Sequence, residues 1–268
     1  PLDFSTPPAL PGVDKLYLKN TCYFTRDESR LIYGSYGGYI EETAGGGKNF
    51  IRLPGLDSLD WVSTYFKSTT GDIWIGTKGG LYQKLPAAPV HYHNKLVDDR
   101  PAADRIWCFY ETGDTLWIGT DAGLVCRADT TILLSAPCSR VRRIFSADAE
   151  HLLVLTQSDG LFKINRHQLD VVDQIIPELF KLTNTAIYDV YPFKDSLFFL
   201  TNGRSVLQYN TQTKRFLEYH KGNSFIENDV WFLCAESYKS DTALLGSWLH
   251  GVYQLYPQQQ KLQPFPFD

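Results

Sequence analysis

The sequence predicts an all-β protein: a β-propeller with six visible four-stranded blades in one domain over residues 1–268. Aromatic residues make up 14% of the chain and glycines number 20, a composition that suits short strands joined by tight turns. A motif centred on a serine or threonine also recurs along the whole chain, at Ser35, Thr77, Thr120, Thr156, Thr201 and Ser247. Successive spacings of 42, 43, 36, 45 and 46 residues match the period of a propeller blade.

The motif is sharpest in two copies, Asp72–Tyr82 and Thr115–Val125, which share Trp-Ile-Gly-Thr and a second glycine four residues after the first. We name its serine or threonine the hydroxyl anchor. Trp74 and Trp117 alternate with small or polar neighbours, so each ring should fill the space between adjacent blades. The paired glycines should border a tight hairpin, where positive φ or close backbone approach is needed. These signature residues are therefore interpreted as structural.

Each repeat should contain four strands, a to d, with strand a innermost. Strand b carries the hydroxyl anchor, strand c follows the second glycine, and strand d is more polar. Strand a is the apolar run about a dozen residues upstream, predicted over residues 61–66, 105–110, 141–145, 187–191 and 230–235. Six repeats can close a ring, and a seven-bladed or double propeller extending beyond this segment would accommodate them equally well.

The stretches IWIGTKGGLY and LWIGTDAGLV resemble the two-component regulator propeller repeat, and GSWLHGVYQLYPQQQKLQPF resembles its continuation through a Tyr-Pro turn. Leu155 and Leu200 depart from it, since a glycine is expected at both positions. The resemblance implies the periplasmic sensor region of a hybrid histidine kinase and response regulator protein, an inner-membrane receptor that typically senses carbohydrates. It further implies that this chain binds a small molecule or an oligosaccharide and does not catalyse.

The charge and the motifs of the chain limit the other functions that it could have. The net charge of -4 makes nucleic acid an unfavourable partner, and no apolar run approaches the length needed to enter a membrane. No cofactor is expected. His91 and His93 would share a strand face at metal-ligand spacing, but a polar outer strand explains them equally well. A propeller enzyme such as a carbohydrate lyase or glycosidase, and a protein-interaction scaffold, remain as alternatives. An unpaired blade edge would favour a neighbouring propeller or a homodimer partner.

The ligand site is predicted where the hairpins between strands b and c meet the connections that lead into strand a. In an antiparallel blade both lie at the same edge, and loops there combine aromatic faces with hydrogen-bonding groups, as sugars require. The predicted ligand-binding residues are Tyr36, Asp60, Trp61, Lys78, Arg105, Asp121, Arg140, Asp159, Asn202, Arg204, Asn228, Asp229, Trp248 and His250.

Overall fold

The computed structural model describes fourteen stretches of the chain. They are residues 24–27, 30–43, 46–85, 90–93, 105–128, 131–135, 140–168, 170–177, 186–193, 197–201, 205–219, 231–239, 242–248 and 252–264. The chain divides into two compact units, Leu2–Ile144 and Phe145–Asp268, and the division falls inside one strand of the fourth sheet. All of the regular structure described is β-strand, apart from one 3-10 turn at Pro257–Gln259. The described part of the chain contains no helix of a length and hydrophobicity that would span a bilayer.

The first unit contains three sheets and the start of a fourth, each an antiparallel meander in chain order. Sheet 1 consists of β1 (Phe24–Asp27), β2 (Arg30–Ser35), β3 (Gly38–Thr43) and β4 (Lys48–Arg52). Sheet 2 consists of β5 (Val62–Lys67), β6 (Ile73–Thr77), β7 (Leu81–Lys84) and β8 (Val90–His93). Sheet 3 consists of β9 (Ile106–Thr112), β10 (Thr115–Thr120), β11 (Leu124–Ala128) and β12 (Thr131–Ser135).

The remaining sheets repeat this order. Sheet 4 consists of β13 (Val141–Ser146), β14 (His151–Thr156), β15 (Gly160–Asn165) and β16 (Val171–Pro177). Sheet 5 consists of β17 (Asp189–Phe193), β18 (Leu197–Thr201), β19 (Val206–Asn210) and β20 (Arg215–Tyr219). Sheet 6 consists of β21 (Trp231–Lys239), β22 (Thr242–Trp248), β23 (Val252–Tyr256) and β24 (Lys261–Pro264).

The six four-stranded antiparallel sheets confirm the predicted all-β, six-bladed propeller class. The five predicted first strands correspond to β5, β9, β13, β17 and β21, with ends shifted by up to four residues. The Tyr-Pro turn is also present, since Tyr256 and the 3-10 turn at Pro257–Gln259 lead directly into β24. The first strand of sheet 1, Phe24–Asp27, was not predicted, because its sequence FTRD contains no apolar run.

Three of the six hydroxyl anchors, Thr77, Thr120 and Thr156, hold the hairpins that follow them. Thr77 Oγ1 donates to Gly80 O at 2.8 Å, and Thr120 Oγ1 donates to Gly123 O at 2.9 Å. Thr156 Oγ1 donates to Gly160 O at 3.0 Å in the same way. All three hydroxyls also accept backbone N–H groups inside their hairpins. A buried threonine therefore replaces ladder hydrogen bonds where the chain reverses, which explains why the hydroxyl recurs.

The glycine before each of the sharpest anchors permits close approach of the next sheet. A Cβ on Gly76 would lie 2.6 Å from Ile106 Cγ2, and one on Gly119 would lie 2.8 Å from Val141 Cγ1. The second glycine of each motif provides the predicted positive φ, since Gly80 and Gly123 have φ values of 157° and 137°. The first strands of sheets 2 and 3 are consequently neighbours, and Ser63 Oγ on β5 donates to Ile106 O on β9. Such contacts are expected of innermost strands.

The two motif tryptophans are core residues. Trp74 belongs to a buried cluster with Leu81 of its own sheet and with Ile106, Ile118 and Val125 of sheet 3. Its ring therefore lies between two sheets, as predicted. Trp117 is 1% exposed. Its neighbours Leu116 and Ile118 belong to the cluster that faces sheet 2, so strand alternation places Trp117 on the opposite face of sheet 3.

Replacing either tryptophan by alanine should empty a large buried volume. We expect Trp74→Ala and Trp117→Ala each to lower the free energy of unfolding by about 3–5 kcal/mol, measured by urea denaturation. Leu59→Ala is the control, because Leu59 is 75% exposed and its truncation should change little. Tryptophan variants as stable as the parent would contradict the packing described above.

The anchor hydroxyl should contribute separately from its methyl group. Thr120→Val keeps the shape but leaves the N–H groups of Ala122 and Gly123 without that acceptor. We expect a loss of about 1–3 kcal/mol in thermal or chemical unfolding, the usual cost of unsatisfied buried groups. Thr213→Val, at an exposed turn, is the matched control. Equal stability of the two variants would show that the hydroxyl does not hold the hairpin.

Candidate functional site

The hairpins between strands b and c of sheets 1, 3 and 4 each contact the segment that leads into the next strand a. We name the residue before the first buried residue of strand a the lead-in residue; examples are Trp61, Arg105 and Arg140. Tyr36 and Trp61 form an antiparallel bridge, and the Arg140 N–H donates to Asp121 O at 3.0 Å. In the second unit the Ile187 N–H donates to Gln157 O at 2.9 Å. The predicted convergence of hairpins and lead-in residues is thus formed by recurring backbone contacts.

Trp61 is the centre of the first side-chain cluster. Its half-buried ring packs edge-on against Tyr36, with centroids 6.1 Å apart and planes at 75°. Lys78 Nζ lies 5.6 Å from the Trp61 ring centroid, within reach of a cation–π interaction. Asp60 Oδ1 lies 3.7 Å from the same Nζ. Sheets 1 and 2 therefore bring together four predicted residues as two aromatic rings, one cation and one carboxylate.

Asp121 is the centre of the second cluster, which lies within the first unit, where sheet 3 meets the start of β13. Its Oδ1 accepts the Trp107 Nε1–H at 2.6 Å, and its Oδ2 lies 3.1 Å from Arg105 Nη1. The Arg142 guanidinium carbon lies 3.6 Å from the Trp107 ring centroid. Asp121 also joins the two lead-in residues through its backbone, because its N–H donates to Arg105 O and its carbonyl accepts from Arg140.

A recurring β-bulge directs side chains that sequence reasoning missed. In sheet 2, Val62 pairs with Thr77 and Thr64 with Gly76, so Ser63 is an extra residue. Trp107 is the extra residue in sheet 3, and Leu233 is the extra residue in sheet 6. A bulge re-aims a side chain and increases local twist. Nothing in the amino-acid pattern marks the bulge, although these residues follow the lead-in position by two.

Arg140 has a left-handed backbone conformation, with φ of 51°. A residue with a Cβ is disfavoured there by about 1–2 kcal/mol relative to right-handed backbone, and glycine is the usual occupant. Its side chain is exposed. A cation therefore occupies a lead-in position at which glycine would fit the backbone with less strain.

The remaining predicted residues are divided between described and undescribed parts of the chain. Asp159 lies in the hairpin of sheet 4, where its N–H donates to Thr156 Oγ1 and its carbonyl accepts from Gln174. The backbone of Trp248 ends β22 and pairs with Trp231, but its side chain is outside the described residues. Outside them entirely are Asn202, Arg204, Asn228, Asp229 and His250.

His91 and His93 lie on β8, the outer strand of sheet 2. Their alternate positions place them on one face of the strand, as predicted. Burial, with smaller effects from Arg127 and His91, holds the pKa of His93 below its ordinary value. Within the described stretches, no three histidine, cysteine or acidic residues are grouped to hold a metal ion.

No protein-family model and no curated protein sequence matches this chain. Solved structures match its fold. A streptogramin B lyase aligns with 12% identity and a TM-score of 0.69, covering 92% of this chain and 83% of the lyase. The WD40 propeller domain of Doa1 aligns with 10% identity and a TM-score of 0.61, covering 86% and 76%.

An extracellular domain of a one-component system from B. thetaiotaomicron aligns over 91% of this chain and 48% of its own, with 12% identity. Its TM-score of 0.48 is too low to support an argument. At such identities, the first two matches establish the architecture and nothing about activity. The chain is a β-propeller.

Proposed function

We propose that this chain is a ligand-binding propeller from the extracellular or periplasmic part of a two-component receptor, and that it recognises a carbohydrate. The receptor assignment is supported by the likeness of Ile73–Tyr82 and Leu116–Val125 to the two-component regulator propeller repeat. The ligand assignment is supported by the side chains around Trp61. The two assignments rest on different residues, because the recurring residues of the repeat are structural, whereas the Trp61 cluster uses a variable position of the repeat, Lys78, and residues outside this copy.

The Trp61 cluster is the observation that carries the proposal. Sugars present apolar C–H faces that stack on aromatic rings, and hydroxyls that need oriented donors and acceptors. Trp61 and Tyr36 supply the aromatic rings. Lys78 supplies an ammonium group and Asp60 a carboxylate, and these two groups lie 3.7 Å apart. This is the mixture of groups expected of a saccharide site at a propeller edge.

The cluster favours binding over catalysis. Asp60 Oδ1 lies 3.7 Å from Lys78 Nζ, and Asp121 Oδ2 lies 3.1 Å from Arg105 Nη1, so each carboxylate is already paired with a cation. A glycosidase instead uses two carboxyl groups that flank the scissile bond, one of them as a general acid. The two carboxylates are therefore better suited to orienting hydroxyl groups than to donating a proton.

Substitution of Trp61 should separate ligand binding from folding. With the full 268-residue chain, calorimetric titration against neutral and acidic oligosaccharides should identify a binder. We expect Trp61→Ala to weaken that binder at least tenfold, about 1.4 kcal/mol, because the stacking surface is removed. Leu217→Ala, an exposed apolar truncation on β20, is the control and should keep the parent affinity.

Three outcomes would count against the proposal. Unchanged affinity in Trp61→Ala would remove the site from this cluster. Absence of binding by every saccharide would remove the carbohydrate assignment. Turnover assays on the same panel provide the third, since product formation that is lost in Lys78→Ala or Asp60→Asn would identify an enzyme.

A further inference from the structure

The hairpin that carries Lys78 is held from the outer strand of its own sheet. Tyr92 lies on β8, and its hydroxyl donates to Gly79 O at 2.9 Å. A Cβ on Gly80 would lie 2.7 Å from Tyr92 Cε2, so the lack of a side chain there makes room for the tyrosine ring. Thr77 Oγ1 binds the hairpin from within, through Gly79 N–H and Gly80 O. The backbone that follows Lys78 is therefore fixed from two directions.

The same contact recurs in sheet 4. Gln174, on the outer strand β16, donates through Nε2 to Asp159 O at 2.8 Å. Asp159 is the residue before the second glycine of its repeat, as Gly79 is in sheet 2. Gln174 and Tyr92 also pair with the same motif position, two residues after that glycine. Tyrosine and glutamine differ in shape, so what the outer strand supplies in both sheets is a hydrogen-bond donor.

Tyr82 connects this hairpin to the loop that leads to Trp61. Its ring packs on Tyr92, with centroids 4.7 Å apart, and its hydroxyl donates to Pro54 O at 3.1 Å. Pro54 lies in the loop between β4 and β5, which also contains Asp60. Burial, and then the nearby Tyr92 and Asp60, raise the pKa of Tyr82 to about 12, so the hydroxyl keeps the proton that it donates. The tyrosine pair thus contacts both segments that carry the Trp61 cluster.

The two segments also meet directly at Gly79. A Cβ on Gly79 would lie 3.0 Å from Asp60 Oδ2, so a side chain there would crowd the carboxylate. The corresponding residue in the other sharp copy of the motif is Ala122, which shows that the hairpin itself does not require glycine at this position. The carbonyl that Tyr92 binds therefore belongs to the residue against which Asp60 lies.

We propose that Tyr92 is a positioning residue of the Trp61 cluster, and that its hydroxyl holds the Lys78 hairpin so that the ammonium group lies beside Asp60 and Trp61 before a saccharide binds. This inference rests on the proposed carbohydrate-binding function and adds to it a residue that acts through another. A group that is already in place costs less to order when the ligand arrives. Loss of the hydroxyl should therefore weaken binding although every side chain of the cluster is retained.

The test uses Tyr92→Phe in the full chain, with maltotetraose, cellotetraose and a galacturonate tetramer as probes. The substitution removes the hydroxyl and keeps the ring against Tyr82. We expect the probe that binds the parent most tightly to bind this variant about three- to tenfold more weakly, the usual range for one hydrogen bond. Tyr256→Phe is the matched control, because the Tyr256 hydroxyl accepts from Gln263 within sheet 6, and it should keep the parent affinity.

Lys78→Met supplies a readout that a purely structural role would not change. In that background, Tyr92→Phe should weaken binding by less than about twofold, because the group that the hydroxyl positions is already absent. An equal factor in both backgrounds would show that Tyr92 does not act through Lys78. Full affinity in Lys78→Met alone would also overturn the proposal, since the positioned group would have no part in binding.

Amide hydrogen exchange, measured by NMR, tests the hairpin without a ligand. We expect the Gly79 N–H to exchange at least about threefold faster in Tyr92→Phe, with the hairpin of sheet 4 unchanged as the internal reference. Unchanged exchange at Gly79, unchanged affinity in Tyr92→Phe, or an equal loss in Tyr256→Phe would overturn the positioning role and leave carbohydrate binding intact. Failure of all three probes to bind the parent would contradict the proposed function, and the positioning role with it.

Discussion

The close approach of a first strand to the second strand of the preceding sheet, seen at Gly34, Gly76 and Gly119, is the constraint on which the rest of the first unit depends. At Gly76 and Gly119 there is no room for a Cβ, because Ile106 and Val141 of the next sheet, together with Thr64 and Cys108 of the same sheets, occupy that space. The same approach accompanies the backbone contacts of Trp61 and Arg140 with the preceding hairpins. The aromatic and charged side chains of both candidate clusters then meet because their backbones are already in contact.

The hydrophobic core also depends on contacts between neighbouring sheets. Buried residues of neighbouring sheets form shared clusters, such as Trp74 with Ile106, while the outer strands contribute fewer buried residues. Sheet 4 replaces the glycine by Leu155, which belongs to a buried cluster with Ile187 of sheet 5. A larger side chain is therefore accepted at this position where sheets pack through leucine and isoleucine instead of through backbone.

Much of the fold could be predicted from the sequence because its determinants are local and repeated. An anchor hydroxyl needs only the hairpin that follows it, so Thr77 and Thr120 are recognisable without knowledge of the rest of the chain. The first strand of sheet 1 could not be predicted from FTRD, which has polar residues where the other first strands are apolar. Likewise β21 continues to Lys239, past the predicted Ala235, through polar residues that pair with β22.

The site was predictable in outline and not in detail. Antiparallel strand order places hairpins and lead-in residues at the same edge, so Tyr36, Trp61 and Lys78 could be grouped from the repeat alone. The hydrogen bond from Trp107 to Asp121 depends on the bulge at Trp107, which is set by three-dimensional register. For the same reason Arg142 could not be assigned to the site before its stacking on Trp107 was known.

The backbone contact between a hairpin and the next lead-in segment makes the surface chemistry of this edge independent of the fold. The residue after the hydroxyl anchor is Tyr36, Lys78, Asp121 or Gln157 in successive sheets, yet three of these four take part in a backbone contact with the next lead-in segment. Its side chain can therefore change without loss of the hydrogen bond that fixes it. The chemistry of this edge can therefore vary from blade to blade through substitution at these positions, while the backbone contacts between neighbouring sheets stay the same.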